Sequence, residues 1–332
     1  MPVVGAPLAG GPSTPALAAA ISNADGLGFL AAGYKSAADV EGEIAAVRSA
    51  TERPFGVNVF YPVRDEVDDS ALVAYADRLR GEAARYGVDP GEVRWSDDGW
   101  GAKLELIRRE RPDVVSFTFG CPQRQTVESL RAVGVAVWCT VTSVAEAETA
   151  AAAGADALVV QGGEAGGHQG SFLREPRQVV PLLSLLGDVS RATGLPLVGA
   201  GGIGDGGGVA AALAAGASAV QLGTALLLTP EAGTSEPYRH ALRGEGPTTL
   251  TRAFTGRPAR GIVNRFIREH EQAAPRGYPE IHYVTAPIRA AARAAGDAEA
   301  LNLWAGESYR LAREEPAAEL VERVVAEWRS TV

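Results

Sequence analysis

The sequence predicts an α/β fold: a (β/α)8 TIM barrel carrying a second, smaller α+β domain. Two observations argue for the barrel. Eight short apolar runs alternate with helical patterns over about 225 residues, and glycine stands at most strand ends. A third argues for the extra domain: from about residue 230 the alternation gives way to Arg- and Pro-rich, less regular sequence. The runner-up is a doubly wound sheet, but the first βα turn has no GxGxxG opening a helix.

Each element has a local reason. Strand one (residues 3–6) runs into Pro7, and Gly10, Gly11 and Pro12 follow. Ser13 or Thr14 can cap an Ala-rich helix at 15–22, with Pro15 in its first turn. Strand two is 27–32, and an amphipathic helix covers 37–50. Strand three, FGVNVF at 55–60, carries Asn58 near its end. Residues 61–101 are charged and long for one strand–helix unit, with a helix expected at 70–86. A helix at 102–111 precedes strand four (114–119) and the loop Gly120-Cys121-Pro122. A helix at 125–133 leads to strand five (136–140), then a capped helix at 143–153 that ends at Gly154. Strand six is 157–161, followed by a helix at 179–193, strand seven (196–199), a helix at 206–215 and strand eight (219–222). The expected domains are therefore 1–228 for the barrel, 229–300 for a smaller second domain or lid, and 301–332 for a segment returning to the barrel.

Composition narrows the function. The chain has 332 residues, 46% hydrophobic and 21% charged, with net charge -9. That balance argues against nucleic acid or an anionic membrane as the main partner, but leaves an anionic small substrate open. The two cysteines, Cys121 and Cys139, have no metal-ligand spacing and suit a reducing compartment. The N-terminus lacks a basic n-region with a long apolar core, and no apolar run approaches the roughly 20 residues of a membrane helix. A cytoplasmic protein is expected.

The chemistry gathers at strand ends. After strand six come Gly162, Gly163, Gly166, Gly167 and Gly170, with His168 among them. A histidine on such a loop is placed for catalysis in a barrel; the alternative is an incidental surface residue. VGAGGIGD (198–205) and VQLGTALL (220–227) follow the last two strands. Loops at that position commonly bind phosphate through backbone N–H groups. Gly201 and Gly202 permit close approach, while Gly223 and Thr224 can add donors. Tight strand–helix packing is the alternative explanation. The other strand-end groups, Asn58, Cys121 and Gln161, are neutral. No carboxylate pair, Schiff-base lysine or metal-ligand cluster joins them, so an aldolase, glycosidase or metallohydrolase fits poorly. A flat, uncharged cofactor with a phosphate tail fits well, and FMN is the obvious candidate.

PVVGAPLAGG, PFGVNVF, VVSFTFGCP, VQGGEAGGHQG, GAGGIGDGGG, VQLGTALL and FTGRPAR occur in this order. Together they resemble the nitronate monooxygenase family, formerly called 2-nitropropane dioxygenase. The resemblance implies an FMN-bearing barrel that oxidises alkyl nitronates, such as propionate 3-nitronate, with O2 to a carbonyl compound and nitrite. By position it implies FMN contacts at Asn58, Gln161, Gly166, Gly202, Gln221, Leu222, Gly223 and Thr224, and an active-site role for His168. His168 would hold nitronate oxygens while protonated, or act as a base while neutral. Three positions depart from the pattern: Thr118 and Cys121 stand where His and Leu are common, and Leu8 where Met is common.

Several residues keep two readings. Cys121 and Arg124 could approach a flavin, or pack and be solvated. Arg257, Arg260 and Arg265 could bind a substrate carboxylate or pair structurally. Trp304 and Tyr309 could face the pocket or lie elsewhere, and His240, His270 and His282 receive no assignment. The nearest rival function is an FMN-dependent enoyl-ACP reductase using NAD(P)H. A non-catalytic FMN carrier and a flavin-free phosphosugar isomerase are further rivals. Barrel enzymes of this kind often dimerise, which admits a homodimer.

Overall fold

The computed structural model describes residues 2–64, 67–173 and 178–331. The strands are β1 Val3–Gly5, β2 Gly28–Ala31, β3 Phe55–Phe60, β4 Val114–Thr118, β5 Ala136–Val141, β6 Ala157–Gln161, β7 Gly167–His168, β8 Leu197–Ala200, β9 Ala219–Leu222, β10 Thr248–Thr251 and β11 Ala259–Ile262. The helices are α1 Pro15–Asn23, α2 Ala37–Ala50, α3 Asp69–Arg78, α4 Arg80–Ala84, α5 Trp100–Glu110, α6 Arg124–Arg131, α7 Val144–Ala153, α8 Leu182–Ala192, α9 Gly206–Ala214, α10 Glu236–Leu242, α11 Arg265–His270, α12 Glu280–Ala294 and α13 Ala317–Arg329.

Eight parallel strands run in the order β1-β9-β8-β6-β5-β4-β3-β2. A parallel bridge between Val4 and Leu27 joins β1 to the start of β2 and closes the barrel. The strands are apolar on both sides because side chains alternate between the barrel interior and the surrounding helices. Val4, Phe29, Val114, Val159 and Val198 fill the interior, while the other set packs on the helix layer. Several helices start on side-chain caps: Thr14 accepts from the N–H of Leu17, Ser36 forms a capping box with Asp39, and Asp205 accepts from Gly208.

The expected (β/α)8 architecture is present, with local differences. The helix expected at 70–86 breaks at Leu79 into α3 and α4. The helix expected at 179–193 begins only at Leu182, after Pro181. In the region read as irregular, β10 and β11 pair antiparallel, and α12 is a regular 15-residue helix despite Pro287. Leu72 and Tyr75 of α3, Leu79 at the break and Ala83 of α4 share a hydrophobic core with Phe254, Phe266, Ile281, Val284 and Ile288. This second core also takes in Leu301, Leu303 and Tyr309.

The strand β7 was not expected. Two residues of the glycine-rich loop pair with β11, Ala259 opposite His168 and Arg260 opposite Gly167. The loop is thereby tied to the extra sheet on one side and to the barrel on the other. No helix among the described residues is long and apolar enough to cross a membrane.

Candidate active site

A cavity of about 290 Å³ opens at the carboxyl ends of the barrel strands. Among the expected site residues, Asn58, Gln161, Gly166, His168, Gly201, Gly202, Gln221, Gly223 and Thr224 all line it. So do Leu8, Thr118 and Trp304. Leu222 does not. It is fully buried in the barrel–helix core, because the residue after the inward-facing Gln221 must point the other way.

Its floor at β8 and β9 suits an anion. Gly201 and Gly202 adopt φ of +113° and +72°, a conformation that favours glycine. The N–H groups of Gly202 and Thr224 are free of partners among the described residues. Thr224 opens a short 3-10 turn, so its N–H has no helical acceptor to use. The Thr224 hydroxyl accepts from the Gly306 N–H at 3.0 Å and keeps its own proton for a ligand.

The neutral rim is built from strand ends. The Asn58 side-chain amide donates to Ser116 Oγ (2.9 Å) and Thr118 Oγ1 (3.0 Å), which fixes its orientation. Thr118, at a departure position, therefore orients Asn58. Gln161 does more than line the cavity. Its Nε2 donates to the His168 carbonyl (3.0 Å), and its Oε1 accepts from the Gly170 N–H (2.7 Å). Gln161 thus pins both sides of the histidine.

His168 lies among the rings of Phe119, Tyr278 and Trp304, with centroids 5.4 to 5.7 Å away. Its Nε2 is 2.9 Å from Thr255 Oγ1. That hydroxyl donates to the Arg257 carbonyl at 3.2 Å, so it accepts from the ring. The arrangement assigns the proton to Nε2 and leaves the Nδ1 lone pair as the basic position. Burial, with Arg257 and Arg289 nearby, pulls the His168 pKa down to about 3. The imidazole is neutral at physiological pH, so of the two expected states only the neutral one is populated in the free site.

Phe119 is held at φ +77°, a strained conformation for a bulky residue. The Arg257 guanidinium lies over its ring, 4.1 Å from the centroid. Arg257 also donates to the carbonyls of Gln169, Ser171 and Leu173 and fixes the chain beyond the histidine loop. It is buried and stays outside the cavity lining. Arg260 pairs with Glu307 at 3.1 Å, and Arg265 with Glu82 at 2.7 Å, so both are structural. Arg124 donates to the Ala152 carbonyl on the barrel's exterior. Cys121 packs with its Sγ 3.5 Å from Cys139 Sγ, outside the cavity lining. The Tyr309 hydroxyl donates to Gly244 and Gly246 carbonyls in the second core.

Sequence reasoning missed Tyr34, Thr255, His282, Arg289 and Arg293, which all line the cavity. A signal existed for three of them. His282, Arg289 and Arg293 are spaced seven and four apart and so share a helix face. His240 and His270 do not line the cavity.

The fold and site define a (β/α)8-barrel enzyme whose strand-end cavity joins a glycine floor, suited to an anion, to a neutral, half-buried histidine. A model of the nitronate monooxygenase family matches residues 1–327. A nitronate monooxygenase from Pseudomonas aeruginosa is 41% identical, covering 99% of this chain and 96% of that one. A probable nitronate monooxygenase from Staphylococcus aureus is 38% identical over 98% of this chain and 93% of its own. Among solved structures, nitroalkane oxidase from Streptomyces ansochromogenes superposes with a TM-score of 0.97 at 49% identity, covering 99% of this chain and 96% of that one. FabK from Thermotoga maritima gives 0.77 at 28% identity over 99% of this chain and 93% of that one. The chain belongs to the nitronate monooxygenase family and is an oxidoreductase of that class.

Proposed function

We propose that this protein uses FMN to oxidise alkyl nitronates with O2 to a carbonyl compound and nitrite. One observation carries the reading. A single cavity runs from the glycine floor to His168, and among the described residues no Asp or Glu lines it. An anionic substrate meets no like charge there. The residues fit the cofactor: Gly201, Gly202, Gly223 and Thr224 would hold the phosphate, and the amides of Asn58, Gln161 and Gln221 would meet the polar edge of the ring system. Bound FMN would supply the electron exchange between substrate and O2. Residues 229–300 act in this reading as the lid, since β11 and Thr255 reach the histidine loop.

The role of His168 follows from its charge. Neutral at Nδ1, it would take the α-proton of a nitroalkane or accept a hydrogen bond from substrate. Because its pKa in the folded protein lies near 3, kcat/KM on a nitronate is expected to show no His168 ionisation between pH 5 and 9. A transition near pH 6.5 that vanishes in His168→Ala would contradict the neutral assignment.

The test is an absorbance spectrum of the purified protein, followed by anaerobic addition of propionate 3-nitronate. Oxidised-flavin bands that change without any nicotinamide are expected, with nitrite appearing once air is admitted. Bands that respond only to NADH would favour the reductase reading. A protein that takes up no flavin, even after reconstitution with FMN, would overturn the proposal.

A further inference from the structure

Among the described residues, Arg289 is a buried cation with no carboxylate partner. It lines the cavity and is 9% exposed. All of its hydrogen bonds go to neutral groups: Nε to Thr285 Oγ1 (3.1 Å), Nη1 to Asn302 Oδ1 (3.4 Å), and Nη2 to the carbonyl (2.9 Å) and Nδ1 (3.2 Å) of His282. Several other buried or half-buried cations here have acids beside them, although Arg239, outside the cavity lining, is held by four backbone carbonyls. Lys103 meets Asp98 at 2.7 Å, Arg265 meets Glu82 at 2.7 Å, and Arg323 meets Glu315 at 2.6 Å. Burying an unneutralised charge costs several kcal/mol, and folding gains nothing from it. Burial lowers the Arg289 pKa only to about 10, so it remains charged at neutral pH.

His282 makes the arrangement directional. An arginine can only donate, so the His282 Nδ1 accepts from it and the ring proton sits on Nε2. The ring is stacked on Tyr34, with centroids 3.9 Å apart and planes 5° from parallel, and it also lines the cavity. Both cavity histidines therefore carry their proton on Nε2, but they spend opposite nitrogens: His168 gives its Nε2–H to Thr255 and keeps the Nδ1 lone pair, while His282 gives its Nδ1 lone pair to Arg289 and keeps Nε2–H as a donor. Arg293, one turn beyond Arg289 on α12, adds an exposed cation to the lining.

We propose that Arg289, with His282, is the anion anchor that holds the oxygens of the substrate's nitronate group, so that the site selects planar oxyanions over neutral nitroalkanes. This rests on the proposed nitronate chemistry for its substrate, and on the geometry alone for the anchor.

The test uses the flavin-loaded holoenzyme and inorganic nitrate, an unreactive planar oxyanion. Nitrate binding is followed by the flavin difference spectrum and by inhibition against the nitronate. Wild type is expected to bind nitrate competitively. Arg289→Met should weaken nitrate binding by about 100-fold and raise KM for the nitronate by a similar factor, with kcat and the KM for a neutral nitroalkane changed much less. Its thermal midpoint should hold or rise, since an unpaired buried charge is gone. A merely structural arginine would lower the midpoint and leave nitrate affinity intact, and that result overturns the proposal. So does an equal rise in KM for charged and neutral substrates. If Arg289→Met does not accumulate folded, Arg289→Lys decides. Nitrate affinity within about tenfold of wild type supports a charge anchor, and complete loss overturns it. Nitrate binding that depends on Arg289 in a protein that never turns over nitronate would sink the functional reading and keep the anchor.

Discussion

His168→Ala is expected to lower kcat/KM for a neutral nitroalkane by about 10²–10⁴-fold, the usual contribution of a positioned general base. On a preformed nitronate the same variant should lose only about tenfold, because no proton need be removed and only a hydrogen bond is lost. The contrast comes from the geometry. Thr255 accepts the Nε2 proton, which leaves the Nδ1 lone pair as the one basic atom the ring offers. Initial rates of nitrite release with both substrate forms measure it. Equal losses on the two forms would mean that His168 orders the loop and moves no proton. Thr255→Val supplies an independent check. It removes the acceptor for Nε2–H, so the ring loses its preferred tautomer and part of the nitroalkane rate should go with it.

Gly166→Ala is expected to strip the protein of flavin. An ideal Cβ at Gly166 would lie 2.5 Å from Gly306 N, 2.7 Å from Ala305 C and 2.9 Å from Thr224 Oγ1. Those atoms cannot easily retreat. Gly306 N–H is bonded to Thr224 Oγ1 at 3.0 Å, and Glu307 N–H to the Glu164 carbonyl at 3.0 Å. The methyl group would therefore push on Thr224, one of the expected phosphate contacts, and open the seam between the histidine loop and residues 305–307. On the proposed FMN reading, cofactor affinity is expected to fall about 100-fold or more, with about 1–3 kcal/mol lost in stability from overpacking. Gly167→Ala is the control. Its φ is +75° but an added Cβ there meets nothing within 4 Å, so it should cost about 1 kcal/mol of strain and keep its flavin. The flavin-to-protein absorbance ratio after purification separates the two. A fully loaded Gly166→Ala protein would show that the seam yields without disturbing Thr224.

Much of the site was readable because barrel strands announce their carboxyl ends. Asn58 and Gln161 follow from strand positions, Gly201, Gly202 and Gly223 from glycines just beyond strand ends, and Gln221 from the family resemblance. Leu222 stays out of the cavity lining for a simple reason. A motif names consecutive residues, but a strand turns alternate ones away from the cavity. Trp304 and Tyr309 had equal standing in the sequence, yet only Trp304 reaches the cavity, since Tyr309 is committed to two carbonyls in the second core.

The sequence by itself determined the barrel, its strand order in outline, the glycine floor and the presence of one histidine at a strand end. These are local properties: periodicity, turn chemistry and small residues at fixed places. Only the tertiary structure decided the charge and partners of that histidine. Its neutral state depends on burial beneath Phe119, Tyr278 and Trp304, and its tautomer on Thr255, 87 residues away. The same holds for Arg289, whose spacing from His282 is visible in the sequence. That no described carboxylate pairs with it is a fact about three-dimensional neighbours in a chain with 40 acidic residues. Electrostatics and packing sum over everything nearby in space, and sequence distance carries little of that sum.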